Sequence, residues 1–206
     1  MINQGGENPP TNSRTMKIET IEIAGLAGAL TALRLPFGKE VRSEINIKTD
    51  PFIAINNITR EKTNYLAWHG HINIHNKDLA LMTSLVKRGD EHAKVVRGIM
   101  VWAKITAPVY WWCEEETYRM GHERLASEST MHIDVRGLSG EELQIAKAAI
   151  PMGKELTKVD MFSYQALRKM VAQRHNHRLP EWHQFIDWIK TLPLAEDLIF
   201  VGHEMG

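Results

Sequence analysis

The sequence predicts a single α+β domain, and three observations support that prediction. The chain has 206 residues, of which 43% are hydrophobic, and this is enough for one sizeable core. Segments typical of strands and segments typical of helices both occur, but they do not follow the regular strand–helix–strand order of a parallel α/β fold. The chain also lacks repeats and low-complexity tracts. We therefore expect one domain over residues 16–206, preceded by a flexible polar tail over residues 1–15.

The first half of the chain contains three predicted strands and two predicted helices. Residues 17–23 are rich in β-branched side chains and predict a strand. The Ala/Leu-rich segment 26–35 predicts a short helix, because Pro36 ends it. Residues 45–48 and 52–56 predict two strands joined by a turn. A second helix is predicted from Asn76, a candidate N-cap, to a stop at Gly89; its apolar stripe comprises Leu79, Met82, Leu85 and Val86.

The second half opens with the clearest strand pattern, at residues 99–105. Residues 109–118 then predict a helix that is unusually rich in aromatic side chains, with a stop at Gly121. Ser139 and Glu142 have the spacing of a capping box, which predicts a helix that ends at Pro151. The periodicity of residues 162–173 and 180–192 predicts two more helices.

Composition excludes several classes of protein. The 25 Lys and Arg residues equal the 25 Asp and Glu residues in number, which argues against a protein that coats nucleic-acid polymers. A single Cys excludes an intramolecular disulfide, and no apolar run reaches the roughly 18 residues that a membrane span needs. We therefore expect a cytoplasmic protein with no membrane partner.

Three cationic side chains stand where the patterns favour apolar ones. Arg174 and Lys147 fall on the apolar stripes of their helices, and Arg119 lies beside Gly121. Because a cation near a core face is costly without an anionic partner, one interpretation is a shared pocket for a phosphate or carboxylate. The alternatives are snorkelling to solvent or internal ion pairs with the acidic residues of the aromatic helix, namely Glu114, Glu115 and Glu116.

Other residue clusters carry weaker hypotheses. His69, His71 and His75 have a spacing that can bind zinc, but no supporting Cys pair or His-Glu-x-x-His motif occurs, so we predict no metal site. Ser127 or Ser129 with His132 could form a nucleophile and base, yet no nucleophile elbow surrounds them. Core packing is the favoured role of the aromatic residues, and Cys113 is predicted to be a small buried side chain; the aromatic residues are Tyr110, Trp111 and Trp112.

The order of several short motifs resembles the flavin-dependent thymidylate synthases. That family's signature is Arg-His-Arg, seven residues, then Ser, and Arg119 and Ser129 keep the outer positions. Further similar segments lie at 85–89, 99–108, 146–151 and 163–174, so the resemblance covers about half of the chain. Segments 107–112, 129–132 and 174–177 are similar to a divergent branch found in phages and gut bacteria.

The resemblance implies a mixed or antiparallel sheet packed with helices, in a homotetramer whose active sites are shared between chains. It implies an enzyme that modifies C5 of the uracil nucleotide dUMP with FAD, methylenetetrahydrofolate and NADPH. The implied catalytic residues are Arg119, Ser129 and Arg174, and these three together with Lys147 would bind the substrate. The implied flavin-binding residues are His92, His122, Ser163, Gln165 and Lys169.

The sequence also departs from the family pattern. Met120 and Gly121 replace the His and second Arg of the signature, although residues 122–127 imitate the signature in a register about three residues later. Lys147 and Gln165 both stand where the family has Arg, so anion binding should weaken. Two alternatives therefore remain: a nucleotide-binding protein that has the fold but no catalysis, and a zinc hydrolase that uses His69, His71 and His75.

Overall fold

A four-stranded antiparallel sheet forms the centre of the molecule. The computed structural model describes residues 15–47, 66–67 and 70–202. Its strands are β1 (Lys17–Ala24), β2 (Glu44–Ile47), β3 (Leu66–Ala67), β4 (Gly70–Asn73), β5 (Met100–Pro108), β6 (His122–Ser127) and β7 (Glu155–Ser163). The main sheet has the order β1-β5-β7-β6, and a small antiparallel sheet has the order β2-β4-β3. The predicted α+β class is therefore confirmed.

Helices follow the strands closely along the chain. They are α1 (Leu26–Leu33), α2 (Asn76–Lys87), α3 (Val109–Glu115), α4 (Thr130–Ile133), α5 (Gly140–Ala148), α6 (Tyr164–Arg174) and α7 (Pro180–Lys190). Short 3₁₀ turns occupy Leu35–Phe37 and Lys94–Arg97, and a π-helical turn occupies Glu196–Phe200. Every helix within the described residues is too short or too polar to span a membrane.

The core lies between one face of the main sheet and helices α3 and α7. Alternate residues of β5 are buried on this face, and Val101 pairs across the sheet with Phe162 of β7. Trp111 is fully buried, with its ring centroid 5.0 Å from that of Trp182 and 5.4 Å from that of Phe185. Since aromatic side chains bury large apolar areas, this cluster anchors both helices to the sheet. The predicted core role of the aromatic helix is confirmed for Trp111 and Trp112.

The sequence analysis did not predict two strands of the main sheet, β6 and β7. Both β6 and β7 place charged side chains on the buried face, so their sequences lack the alternation of apolar and polar residues that indicates a strand. The helix predicted from residue 162 begins at Tyr164 instead, because β7 continues to Ser163, whose hydroxyl accepts a hydrogen bond from the Ala166 amide at 3.1 Å and caps α6. The helix predicted over residues 109–118 ends at Glu115.

The remaining expectations differ from the structure in small ways. His75, not Asn76, caps α2 by accepting a hydrogen bond from the Lys77 amide at 3.1 Å. Ser139 occupies the N-cap position of α5, but its side chain makes no capping hydrogen bond. The strand predicted at residues 52–56, and all but one residue of the predicted tail, lie outside the described residues.

Asp78 connects α2 to the segments that precede it. Its carboxylate accepts hydrogen bonds from Arg34 Nε at 2.6 Å, from the Arg42 amide at 2.8 Å, and from the amide and hydroxyl of Ser43 at 2.7 Å each. Burial alone would raise the pKa of Asp78, but the bonds from Ser43, Arg34 and the backbone outweigh it and lower the pKa from 3.8 to about 2. The ionised carboxylate therefore stabilises the folded chain.

We expect Asp78→Asn to lower the free energy of unfolding by about 2 kcal/mol at pH 7, as a pKa difference of this size implies. Because the folded-state pKa is depressed, this stabilisation is present above pH 3.8 and is lost as the pH falls toward 2. Urea unfolding of both proteins between pH 7 and pH 2 should show the difference narrowing over that window. Asp187→Asn is the control, since the Asp187 side chain is 68% exposed; an equal loss in both variants would contradict the assignment.

Candidate functional site

Strands β6 and β7 and the end of α3 bring six ionisable side chains together. Cross-strand pairing places His122 opposite Phe162 and Arg124 opposite Asp160, so that these side chains share the inner face of the sheet. Helix α3 ends against the same face. We call this group the buried charge cluster because Glu115 and Asp160 are fully buried, although the side chains of Arg124 and Glu116 are 26% and 50% exposed. Its members are Glu115, Glu116, His122, Arg124, Lys158 and Asp160.

Arg124 is the central cation of the cluster. Its Nη2 lies 3.0 Å from Glu115 Oε2, its Nη1 2.5 Å from Glu116 Oε1, and its Nε 3.2 Å from Asp160 Oδ1. Lys158 Nζ adds a second contact to Glu116 Oε1 at 3.0 Å. The Trp112 ring lies against both cations, with Lys158 Nζ 4.4 Å and Arg124 Cζ 5.3 Å from its centroid. The indole therefore contributes cation–π attraction to both cations.

His122 is held between the carboxylates. Its Nε2 lies 3.0 Å from Glu115 Oε1 and 3.4 Å from Asp160 Oδ2, and its Nδ1 lies 2.8 Å from the Tyr118 carbonyl oxygen. The imidazole also stacks on the Phe162 ring, with centroids 4.7 Å apart and planes 7° from parallel. These contacts fix both the position and the plane of the ring.

Burial and charge shift the pKa values of the cluster in different directions. Burial raises the pKa of Glu115 to about 7, although His122 and Arg124 oppose the shift. Burial alone would lower the pKa of His122, but the neighbouring Asp160 and Glu115 raise it above its ordinary value. Burial likewise opposes ionisation of Glu116, yet Lys158 and Arg124 lower its pKa. The cluster can therefore exchange a proton near neutral pH.

A small cleft opens beside the cluster. Its volume is about 250 Å³, and its lining residues are Glu116, Tyr118, Arg119, His122, Glu123 and Arg124. The turn that forms one wall depends on Gly121, whose φ of +77° favours glycine. A Cβ at this position would lie 2.3 Å from Ser163 Oγ, so any other residue would force the turn away from β7.

A second ion-pair group surrounds Arg174 at the end of α6. Its Nε donates to the Tyr118 hydroxyl at 2.9 Å and its Nη1 contacts Glu114 Oε2 at 3.0 Å. The guanidinium also lies 4.8 Å from the centroid of the Trp182 ring. His177 Nε2 and Trp182 Nε1 contact the same Glu114 oxygen at 3.2 and 2.9 Å. The charge of Arg174 is thus balanced within the chain.

Comparison with known proteins identifies the fold. No protein-family model matches the chain, and no curated protein matches its sequence. Among solved structures, thymidylate synthase X (ThyX) from Helicobacter pylori with FAD and dUMP matches with a TM-score of 0.61 and 11% identity, over 90% of this chain and 97% of that one. The UMP/dUMP methylase PolB from Streptomyces cacaoi bound with 5-Br dUMP matches with a TM-score of 0.54 and 12% identity, over 93% and 95%. The chain has the ThyX fold. The resemblance drawn from the motifs is therefore confirmed at the level of the fold.

The ThyX-like chain places the predicted substrate residues in two groups. Arg119 is exposed on the cleft, and Arg174 contacts the neighbouring Tyr118. Ser129 occupies the N-cap position of α4, and Lys147 donates a hydrogen bond to the adjacent Thr130 hydroxyl. Strand β6, which is roughly 17 Å long at about 3.3 Å per residue, lies between Arg119 and Ser129 along the chain. A single chain therefore presents these residues at opposite ends of one strand.

The predicted flavin residues lie mainly on α6 and the turn before β5. Ser163 is buried as the cap of α6, and Gln165 is half-buried on its first turn. Lys169 Nζ lies 3.5 Å from Asp90 Oδ2, and His92 is exposed on the same turn as Asp90. His122 lies apart from them in the buried charge cluster.

The other candidate residues are the three predicted zinc ligands and Cys113. His75 caps α2, His69 lies outside the described residues, and no side chain is described for His71. Cys113 is exposed on α3, so its predicted burial is wrong: it follows Trp112 on the side of the helix that faces away from the sheet. Sequence reasoning missed the functional potential of Glu115 and Asp160. The signal for Asp160 was the alternation of charged residues in β7, at Lys158 and Asp160.

We expect Arg124→Met to lower the free energy of unfolding by about 3–5 kcal/mol, because it leaves buried carboxylates without their shared cation. Urea unfolding measures the loss. The control is Arg136→Met, at an exposed position, which should change the free energy of unfolding by less than about 0.5 kcal/mol.

The same measurement on Arg124→Met combined with Glu115→Gln tests the cause. If unpaired charge is responsible, the second substitution should be less harmful in the Arg124→Met background than in the unmodified chain. Simple additivity would contradict the proposed coupling.

Proposed function

We propose that this chain binds dUMP together with FAD and modifies C5 of the pyrimidine, with methylenetetrahydrofolate as carbon donor and NADPH as reductant. The supporting observation is the extent of the likeness, since 90% and 93% of the chain match structures solved with FAD and dUMP or with 5-Br dUMP. Bound FAD would supply the hydride chemistry, and the chain would bind and orient the reactants. We further propose that the protein is cytoplasmic and belongs to the divergent branch of phages and gut bacteria.

Arg119 is the residue best placed to bind the nucleotide phosphate. It is exposed on the cleft and forms no ion pair within the described part of the chain. A guanidinium with free donors can bind a phosphate through two parallel hydrogen bonds. Arg174 is already paired with Glu114 and holds the Tyr118 hydroxyl, so it would orient that ring unless the nucleotide displaced Glu114.

Ser129 and Lys147 would complete the site from a neighbouring protomer. Because they lie at the far end of β6, a homotetramer with shared sites would bring them to a second chain's cleft. Such assembly is supported by exposed large hydrophobic side chains, because seven of the ten among the described residues fall within residues 120–152; they are Met120, Leu125, Met131, Ile133, Leu138, Ile145 and Met152. In this arrangement, Ser129 would donate a hydrogen bond to the base and Lys147 would supply a point charge.

The residues near the start of α6 would bind the flavin diphosphate. Lys169 lies beside Asp90, and Arg97 Nη2 donates to the Asp90 carbonyl oxygen at 3.0 Å, so both cations flank the same turn. His92 is exposed on that turn and Gln165 lies nearby on α6. The buried Ser163 would act by fixing the first turn of the helix. These side chains would hold the FAD phosphates by charge and hydrogen bonds.

A nucleotide-binding protein without catalysis is the second candidate. The observation that favours it is internal charge balance: Arg124 and Arg174, which could bind anions, are paired with carboxylates of the same chain. Each pairing would have to be broken before the cation could bind a ligand.

Anaerobic incubation of the purified protein with FAD, dUMP, methylenetetrahydrofolate and NADPH tests the proposal. Mass spectrometry should detect a nucleotide that carries one additional carbon. Nucleotide binding without product would instead support the second candidate, and the absence of both would contradict both.

We expect Arg119→Gln to weaken dUMP binding at least tenfold, because a charge-assisted hydrogen bond contributes about 1.5–3 kcal/mol. Isothermal titration calorimetry measures the affinity. Arg136→Gln, another exposed arginine, is the matched control and should bind dUMP as the unmodified chain does.

We expect Ile145→Glu to convert the assembly to smaller species without loss of thermal stability, because Ile145 is 63% exposed in the single chain. Light scattering coupled to size exclusion measures the mass. Phe37→Glu, which is 59% exposed but outside residues 120–152, should leave the mass unchanged. A monomeric unmodified protein would contradict the tetramer.

A further inference from the structure

Three atoms of the buried charge cluster converge on one small space. Glu115 Oε1, His122 Nε2 and Asp160 Oδ2 lie within 4.8 Å of one another. Glu115 and Asp160 are fully buried and His122 is 8% exposed. None of the three atoms has an aligned hydrogen-bond partner among the described residues, although both carboxylate oxygens lie within ion-pair distance of Nε2. Buried polar atoms normally have partners, so this convergence requires an explanation.

The other polar atom of each side chain is already occupied. Arg124 holds Glu115 Oε2 and Asp160 Oδ1 at 3.0 and 3.2 Å. His122 Nδ1 lies 2.8 Å from the Tyr118 carbonyl oxygen, and a carbonyl only accepts, so Nδ1 carries a proton. In the neutral imidazole the Nε2 lone pair therefore faces the same space as two carboxylate oxygens. Partners of this kind orient the ligands of metal ions in proteins.

Two separations among the converging atoms are compatible with ligands of one metal ion. Nε2 lies 3.0 Å from Glu115 Oε1 and 3.4 Å from Asp160 Oδ2, and both contacts are ion pairs when His122 is protonated. Adjacent ligands of an ion with bonds of about 2.1 Å are about 3.0 Å apart in octahedral geometry and about 3.4 Å apart in tetrahedral geometry. A metal ion would therefore take the place of the proton on Nε2.

The charge of the cluster also favours a bound cation. Its three carboxylates, Glu115, Glu116 and Asp160, face two permanent cations, Arg124 and Lys158. Glu115 and Asp160 are fully buried, where an unpaired charge is costly. His122 also lines the cleft, which offers a route for an ion from solvent.

We propose that Glu115, His122 and Asp160 bind a divalent first-row transition-metal ion, with Arg124 and the Tyr118 carbonyl as the groups that position the ligands. Two carboxylate oxygens and one imidazole nitrogen suit ions such as Mn²⁺ and Zn²⁺. The side of the ion that faces the cleft would be open to water or a ligand. The site includes His122, which the resemblance assigns to flavin binding, and it opens on the cleft that Arg119 lines, but it does not depend on the proposed function.

Titration of chelator-treated protein with Zn²⁺ and Mn²⁺ tests the site. We expect one ion per chain by calorimetry and elemental analysis, and a rise in melting temperature that grows with metal concentration. Glu115→Gln and Asp160→Asn should each weaken binding at least tenfold. Glu123→Gln is the matched control, because Glu123 is exposed on the same strand and lines the same cleft.

Spectroscopy of the unmodified chain keeps the test independent of variant folding. Mn²⁺ bound in the cluster should give an immobilised electron paramagnetic resonance signal that Zn²⁺ abolishes by competition. The proposal is overturned if binding stays far below one ion per chain or survives in both ligand variants. It is also overturned if nitrogen NMR shows His122 doubly protonated at pH 7 with excess Zn²⁺ present, because a proton would then occupy the place of the ion.

Discussion

The packing of β6 against β7 depends on the ion pairs of the buried charge cluster. Arg124 and Lys158 lie on the Trp112 ring and meet the carboxylates of α3 and of β7. Removing one partner from such a group leaves the others buried and unpaired, which costs more than the pair itself contributes. The edge strand, the end of the aromatic helix and the turn between them are therefore held by one set of interactions.

These internal ion pairs also limit which cations on the surface can bind an anionic ligand. The cations that could bind an anionic ligand are mostly engaged by acidic residues of α3, while Arg119 remains exposed on the cleft. A ligand that binds at Arg119 would meet a largely preformed wall, whose aromatic ring Tyr118 is held through its hydroxyl by Arg174. Preorganisation of this kind reduces the entropy lost on binding.

Prediction from the sequence succeeded where apolar periodicity decides the structure, as in α7 and β5. It failed at β6 and β7, because Lys158 and Asp160 point inward although they are charged. Their partners on other elements, which neutralise them, cannot be identified from the sequence. The likeness of the motifs led to the correct fold, since their order along the chain survives the loss of individual residues. The grouping of Glu115, His122 and Asp160 was not predictable. Glu115 and Asp160 are 45 positions apart in the sequence, and the pairing register of β6 and β7 brings Asp160 close to His122.

The contact between Gly121 and Ser163 has a consequence for communication across the molecule. Ser163 donates its amide to the Gly121 carbonyl at 2.7 Å, and its hydroxyl caps α6 at the same time. The loop that bears Arg119 and the first turn of α6 thus share a direct backbone contact, and Arg174 at the other end of α6 holds Tyr118 of the same loop. Movement of that loop on ligand binding would reach α6 through both contacts, so events at the two locations should be energetically linked in both directions.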